Sequence, residues 1–119
     1  MTFFNKDTSR KRKSYLFDNE EVYLDANRKK TGTSRKSFFD RNKTLFFDSN
    51  GKKVGYSRPA FFDPKKTVYF DENGHKIGTS RKSYLNDKDE VYFDAKGNKI
   101  GVEKEAFFIK GEKVFKRYN

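Results

Sequence analysis

Apolar and polar positions along the chain recur with a period of 23 residues. Val22, Leu45, Val68, Val91 and Val114 open near-copies of one motif: Val22-Tyr23-Leu24-Asp25, Leu45-Phe46-Phe47-Asp48, Val68-Tyr69-Phe70-Asp71 and Val91-Tyr92-Phe93-Asp94, with the last cut short at Val114-Phe115-Lys116-Arg117. A β-branched and aromatic run predicts a strand. Asp followed by Gly, as in Asp48-Ser49-Asn50-Gly51, Asp71-Glu72-Asn73-Gly74 and Asp94-Ala95-Lys96-Gly97, predicts a tight turn. The carboxylate accepts a local N–H and the glycine takes positive φ. The first copy has Arg28 where the others have Gly, which predicts a looser hairpin or another turn type. A return strand follows in each copy and always contains a glycine: Gly32, Gly55, Gly78, Gly101. Such a glycine is expected beneath an aromatic ring.

Each copy then carries a further apolar pair, Phe38-Phe39, Phe61-Phe62, Tyr84-Leu85 or Phe107-Phe108, read as core. A second turn closes the unit, as in Asp40-Arg41-Asn42-Lys43 and Asp63-Pro64-Lys65-Lys66, where Pro64 suits a turn start. No segment shows a helical period. The expected fold is therefore all-β: an array of tandem hairpins forming an elongated twisted sheet or a β-solenoid. Its units are 22–44, 45–67, 68–90 and 91–113. Residues 1–21 form a degenerate N-terminal capping unit, since Arg12-Lys13-Ser14-Tyr15-Leu16 precedes Arg35-Lys36-Ser37-Phe38-Phe39 by one period. Residues 114–119 form a truncated repeat that supplies the strand closing the last hairpin.

Tyr/Phe, Asp, Gly and Gly at these offsets over residues 22–113 resemble the hairpin arrays of the MORN type. Locally they are also similar to the Tyr-Phe-Asp-x-x-Gly core of choline- and glucan-binding repeats. The resemblance implies hairpin architecture and transfers no binding residues. Asp25, Asp48, Asp71 and Asp94 stand where the MORN pattern has Gly, and the chain has no Trp with which to line a carbohydrate cleft. A MORN-like array would make anionic lipid a further possible ligand.

Composition narrows the chemistry. Apolar content is 33 %, concentrated in 14 Phe and 7 Tyr, which suits thin β-structure. There is no Cys, so disulfides and thiolate metal sites are excluded. The single His75 occupies a position held by Lys or Asn in other copies and reads as an exposed turn residue. No nucleophile–base pair or ligand set recurs, so the chain reads as non-enzymatic, without cofactor or metal. The repeated turn aspartates lack the alternating oxygens of a calcium loop and read as turn caps. The N-terminus lacks an apolar h-region and no apolar run spans a bilayer, which points to a cytoplasmic location.

The net charge is +11. Residues 22–44 carry seven Lys or Arg against two Asp, and residues 45–67 five against two. A basic bias of this kind points to a polyanion, although surplus charge also serves solubility. The candidate binding groups are the repeated Ser-Arg-Lys element and the lysine after each tight turn: Arg12, Lys13, Lys30, Arg35, Lys36, Lys53, Arg58, Lys76, Arg81 and Lys82. Arg offers phosphate a planar fork, Lys a point charge and Ser a hydroxyl. The element breaks at Glu103-Lys104-Glu105, so the basic site ends near residue 82.

The leading functional expectation is sequence-independent binding of nucleic-acid phosphates. The alternative is a protein-interaction module or small inhibitor clamping an acidic or nucleic-acid-binding surface. An exposed aromatic cluster flanked by charge would favour the latter. A membrane partner is not expected, and pairing of two chains through edge strands is a further possibility.

Overall fold

A computed structural model describes residues 4–107 and 109–118. The chain forms ten antiparallel strands: β1 (Arg10–Lys13), β2 (Glu20–Leu24), β3 (Lys30–Lys36), β4 (Thr44–Asp48), β5 (Lys53–Pro59), β6 (Lys66–Asp71), β7 (Lys76–Lys82), β8 (Glu90–Asp94), β9 (Lys99–Glu105) and β10 (Glu112–Arg117). Each strand pairs with its neighbours in sequence, and β1 pairs with β10, so the meander closes into a barrel.

The all-β hairpin reading holds, but the open sheet or solenoid does not. The body measures 35 × 34 × 23 Å, a squat disc and not a rod. Closure also leaves none of the ten strands as a free edge. The truncated repeat does complete the last hairpin, as β10 on β9, but its other side zips onto β1 at Arg10↔Val114.

Closure has a local cause. The register skips one residue in four hairpins, between Tyr23/Leu24, Phe46/Phe47, Tyr69/Phe70 and Tyr92/Phe93. The unpaired residues are Thr31, Val54, Ile77 and Ile100. A bulge bends its strand and increases twist, and repeating one at a fixed period coils the sheet until its ends meet.

Two unlike sets of connections result. At one end lie the tight turns 25–29, 48–52, 71–75 and 94–98. In each, one oxygen of the leading Asp accepts two backbone N–H groups, for example those of Asn50 and Lys52 on Asp48 Oδ1, both at 2.9 Å. Gly51, Gly74 and Gly97 adopt φ of 84–90°. Arg28 adopts φ 66°, and Asp25 Oδ1 accepts from Asn27 and Lys29 in the same way. The first hairpin is thus neither looser nor of another type. Arg28 is held in this conformation by a two-pronged ion pair to the buried Glu112, with Nη2–Oε2 2.7 Å and Nη1–Oε1 3.0 Å.

At the other end lie the loops 14–19, 37–43, 60–65, 83–89 and 106–111, each closed by a backbone hydrogen bond such as Ser37 N–H to Lys43 C=O at 2.8 Å.

The core is a ring of five aromatic side chains, one from each even-numbered strand: Tyr23, Phe46, Tyr69, Tyr92 and Phe115. Successive centroids are 6.3, 5.9, 5.9 and 5.3 Å apart. Phe4 plugs the lumen, its ring 5.0 Å from Tyr69 and 5.8 Å from Tyr92. Tyr23, Phe46, Tyr69 and Tyr92 pair directly with Gly32, Gly55, Gly78 and Gly101. A Cβ on Gly101 would meet the Phe115 ring at 2.5 Å, and one on Gly78 the Phe4 ring at 2.3 Å. At Gly32 the obstacle is instead the Phe47 carbonyl, at 2.4 Å. The described residues of the further apolar pairs, expected in the core, are outside it.

Candidate docking surface

The loop end carries a crown of apolar side chains. Tyr15, Leu16, Phe38, Phe39, Phe61, Phe62, Tyr84, Leu85 and Phe107 are between 84 % and 98 % exposed. Phe108, the partner of Phe107, lies outside the described residues. The reason is topological: each pair sits inside a loop, beyond the last ladder pair, where no second layer exists to cover it. Phe38 and Phe39 instead pack on each other, edge to face at 5.4 Å, as do Phe61 and Phe62 at 4.9 Å.

The members of the Ser-Arg-Lys element do not share one face. Successive strand residues face opposite sides of a sheet, so its members separate. Ser34, Ser57 and Ser80 are buried on the lumen side. The Ser34 and Ser80 hydroxyls pair with the Tyr23 and Tyr69 phenols at 3.3 and 3.0 Å. Arg12, Arg35, Arg58 and Arg81 lie on the outer wall. Arg12 and Arg81 sit 4.2 and 4.4 Å from the crown rings of Tyr15 and Tyr84, and Arg35 lies 4.8 Å from Phe47. Arg58 pairs with Asp40 at 3.1 Å. Lys13, Lys36 and Lys82 alternate back to the lumen side at the mouth, where Lys82 lies 3.7 Å from Glu90.

Lys30, Lys53 and Lys76 begin the odd-numbered strands at the tight-turn end. Six residues of strand, about 20 Å, separate Lys30 from Lys36. The ten candidates therefore form two groups at opposite ends, seven beside the crown and three away from it. The outer basic ring continues past residue 82 in Lys104, which is neutralised by Asp89 at 2.6 Å.

Between the aromatic ring and the crown, the lumen is polar. Positions equivalent to Ser34 are Lys11, Ser57, Ser80 and Glu103, and the two departures from Ser are complementary charges. Lys11 Nζ lies 2.9 Å from Glu103 Oε1 and 3.8 Å from Glu21. The Tyr92 phenol donates to Glu103 at 3.2 Å, and Ser80 donates to Glu90 at 2.7 Å. Burial disfavours the Lys11 ammonium, but Tyr23, Glu103 and Glu21 outweigh it and hold its pKa above the usual lysine range. Burial pushes the phenols of Tyr23, Tyr69 and Tyr92 up. Sequence reasoning missed this network, although its signal was present: oppositely charged residues at one repeat position that is otherwise Ser.

Hydrogen bonds from Arg28, opposed by burial and reinforced by Arg10, hold the Glu112 carboxyl below the usual range. The backbone N–H of His75 does the same for Asp71, and that of Asn98 for Asp94. Among the described residues, no cluster of three His, Cys, Asp or Glu side chains is arranged to hold a metal ion. No described helix is long and apolar enough to cross a membrane.

No protein-family model matches the chain, and no curated protein does. Among solved structures it is similar to the crystal structure of a protein from Arabidopsis thaliana, with a TM-score of 0.52 and 13 % identity over 92 % of this chain and 80 % of that one. At this identity the likeness concerns the fold alone.

Proposed function

We propose that this protein is a non-enzymatic binding module that docks an anionic partner on its crown. The observation that carries the reading is the nine apolar side chains, each at least 84 % exposed, gathered at one end of the barrel. Single exposed apolar residues are ordinary, but the largest apolar patch on a soluble monomer is about 300–600 Å². At about 150 Å² for each large side chain, the crown offers on the order of 1,000 Å². Arg12, Arg35 and Arg81 lie beside or below it and supply charge complementarity. The ionisable groups of the lumen are engaged with one another, which supports a structural and not a chemical role for them.

This favours docking through the crown over simple phosphate tracking, whose basic row is split between two ends. Single-stranded nucleic acid keeps one supporting observation, the exposed rings on which bases could stack.

The test compares two variants against wild type on a fluorescent single-stranded oligonucleotide, heparin and anionic vesicles across a salt series. One variant carries Phe38→Ser, Phe39→Ser, Phe61→Ser and Phe62→Ser; the other carries Lys30→Ala, Lys53→Ala and Lys76→Ala. Binding of at least one probe is expected, weakened more than ~10-fold by the first variant and less than ~3-fold by the second. The reverse order, or no binding to any probe at low salt, overturns the reading.

A further inference from the structure

We infer that the crown's partner is the surface of an anionic bilayer, with the loop tips entering the boundary between headgroups and acyl chains while the basic groups behind them meet lipid phosphates. The inference rests on the crown reading above and specifies its partner.

The first argument is what the repeat keeps constant. Equivalent loop positions hold Tyr15, Phe38, Phe61, Tyr84 and Phe107, followed by Leu16, Phe39, Phe62 and Leu85. The first position is aromatic in every loop, whereas the second holds Leu16 and Leu85 as well as Phe39 and Phe62, so what that second position keeps is apolarity and not a π-face. A base or a shaped protein pocket distinguishes Leu from Phe; a fluid hydrocarbon boundary accepts either. Tyr15 and Tyr84 suit such a boundary, with an apolar ring and a polar tip.

Shape is the second argument. A body with fivefold repetition has two equal extents across its axis, here 35 and 34 Å, against 23 Å along it. Five loops at one end of such a disc form a broad rim suited to a flat target. Charge is the third. At the crown end a cavity of about 630 Å³ is lined by Lys11, Arg12, Lys13, Lys110 and Lys113, with Phe107 at its side. Of the carboxylates that share it, Glu112 is engaged by Arg10 and Arg28 and Glu21 by Lys11, which leaves Arg12, Lys13 and Lys110 as its basic excess over Glu105. An anionic headgroup satisfies both the cavity and the outer arginines. The contact is peripheral. Strands of four to seven residues are shorter than the roughly 9–11 that a spanning strand needs, and Arg12, Arg35, Arg58 and Arg81 interrupt the outer wall.

The experiment uses the full chain and vesicles of phosphatidylcholine alone or with ~30 % phosphatidylserine. Because the chain contains no Trp, Phe39→Trp is a clean reporter on the crown and Asn73→Trp a matched one at the tight-turn end. Expected are sedimentation with the anionic vesicles only, a blue shift and quenching of the crown Trp by lipids brominated on the acyl chains, and neither for Asn73→Trp. Phe61→Ser with Phe62→Ser should weaken partitioning by ~10-fold with an unchanged melting curve. No partitioning overturns the inference, as does partitioning in which the crown Trp stays unquenched.

Two outcomes overturn the bilayer while keeping the crown as the docking surface. One is oligonucleotide binding lost with the crown substitutions in the absence of vesicle binding. The other is a dimer, seen by sedimentation equilibrium, that those substitutions dissolve. If the crown substitutions change nothing in any assay, both readings fall.

Discussion

The aromatic ring and the aromatic crown share residue types and a period, yet Phe46 is 3 % exposed and Phe39 is 95 % exposed. The difference lies in what each position's neighbours can offer. Phe46 stands within a ladder, opposite Gly55, and faces a lumen filled by Tyr23 and Tyr69. Phe39 stands within a loop whose backbone closes on itself. Repetition multiplies a position without deciding whether it is covered; coverage comes from closure, which gives the inner face a far side to pack against and leaves the loop end without one.

The sharpest way to break this comparison is truncation at both places. Phe46→Ala should cost about 3–5 kcal/mol in urea unfolding, against less than about 0.5 kcal/mol for Phe39→Ala. Comparable losses would mean the crown is packed in solution.

Next in size is a test of the glycines that admit the ring. A Cβ at Gly78 meets both the Phe4 ring and the Phe93 carbonyl at 2.3 Å, while at Gly74 it meets only the Tyr56 hydroxyl, at 3.7 Å. Gly78→Val should cost at least ~2 kcal/mol. Gly74→Asn, in a turn conformation that Asn tolerates, should cost under ~1 kcal/mol. Equal shifts in thermal melts would remove the packing account.

pH separates the two ends more gently. The phenols of Tyr23, Tyr69 and Tyr92 stay protonated in the folded barrel above the pKa of about 10 that they have when unfolded. The unfolded chain then binds fewer protons, so stability falls as pH rises past about 10. Lys11 acts in the same direction. Its raised pKa contributes stability below the unfolded value of about 10.4 that is lost as pH climbs towards the folded one. The melting temperature should therefore drop on the alkaline side, and Tyr92→Phe should flatten that drop.

The smallest effect belongs to the tight-turn end. Asp71 and Asp94, held below the usual range, contribute stability above about pH 4 that disappears as pH falls further. Asp71→Asn with Asp94→Asn should blunt this acid loss.

Hairpins, turn caps and the strand glycines were legible in the sequence because each rests on local rules: alternation, an Asp that caps, a Gly that yields. Closure was not legible. It depends on one unpaired residue per hairpin, at Thr31, Val54, Ile77 and Ile100, and in a run such as Lys52-Lys53-Val54-Gly55 nothing local marks Val54 as the residue without a partner. The basic residues were found, but their grouping was not. Alternation sends Ser34, Arg35 and Lys36 to different sides, and strand length divides Lys30 from Lys36. The apolar pairs were misplaced because hydrophobicity records what a side chain prefers and not what the fold can cover.

A ring made by repetition must still be joined somewhere, and here the join is β1 against β10. Every other pairing links neighbours in sequence, whereas this one brings Arg10 to Val114. Its loop-closure entropy is met only when the other nine pairings are in place, which predicts that the join forms last in folding and opens first. The strand on one side has four residues, and Arg10 and Arg28 on Glu112 reinforce it. Amide hydrogens at this join should exchange ahead of those around Tyr69. Parting it uncovers two strand edges in a single event, so resistance to aggregation depends on this one short seam.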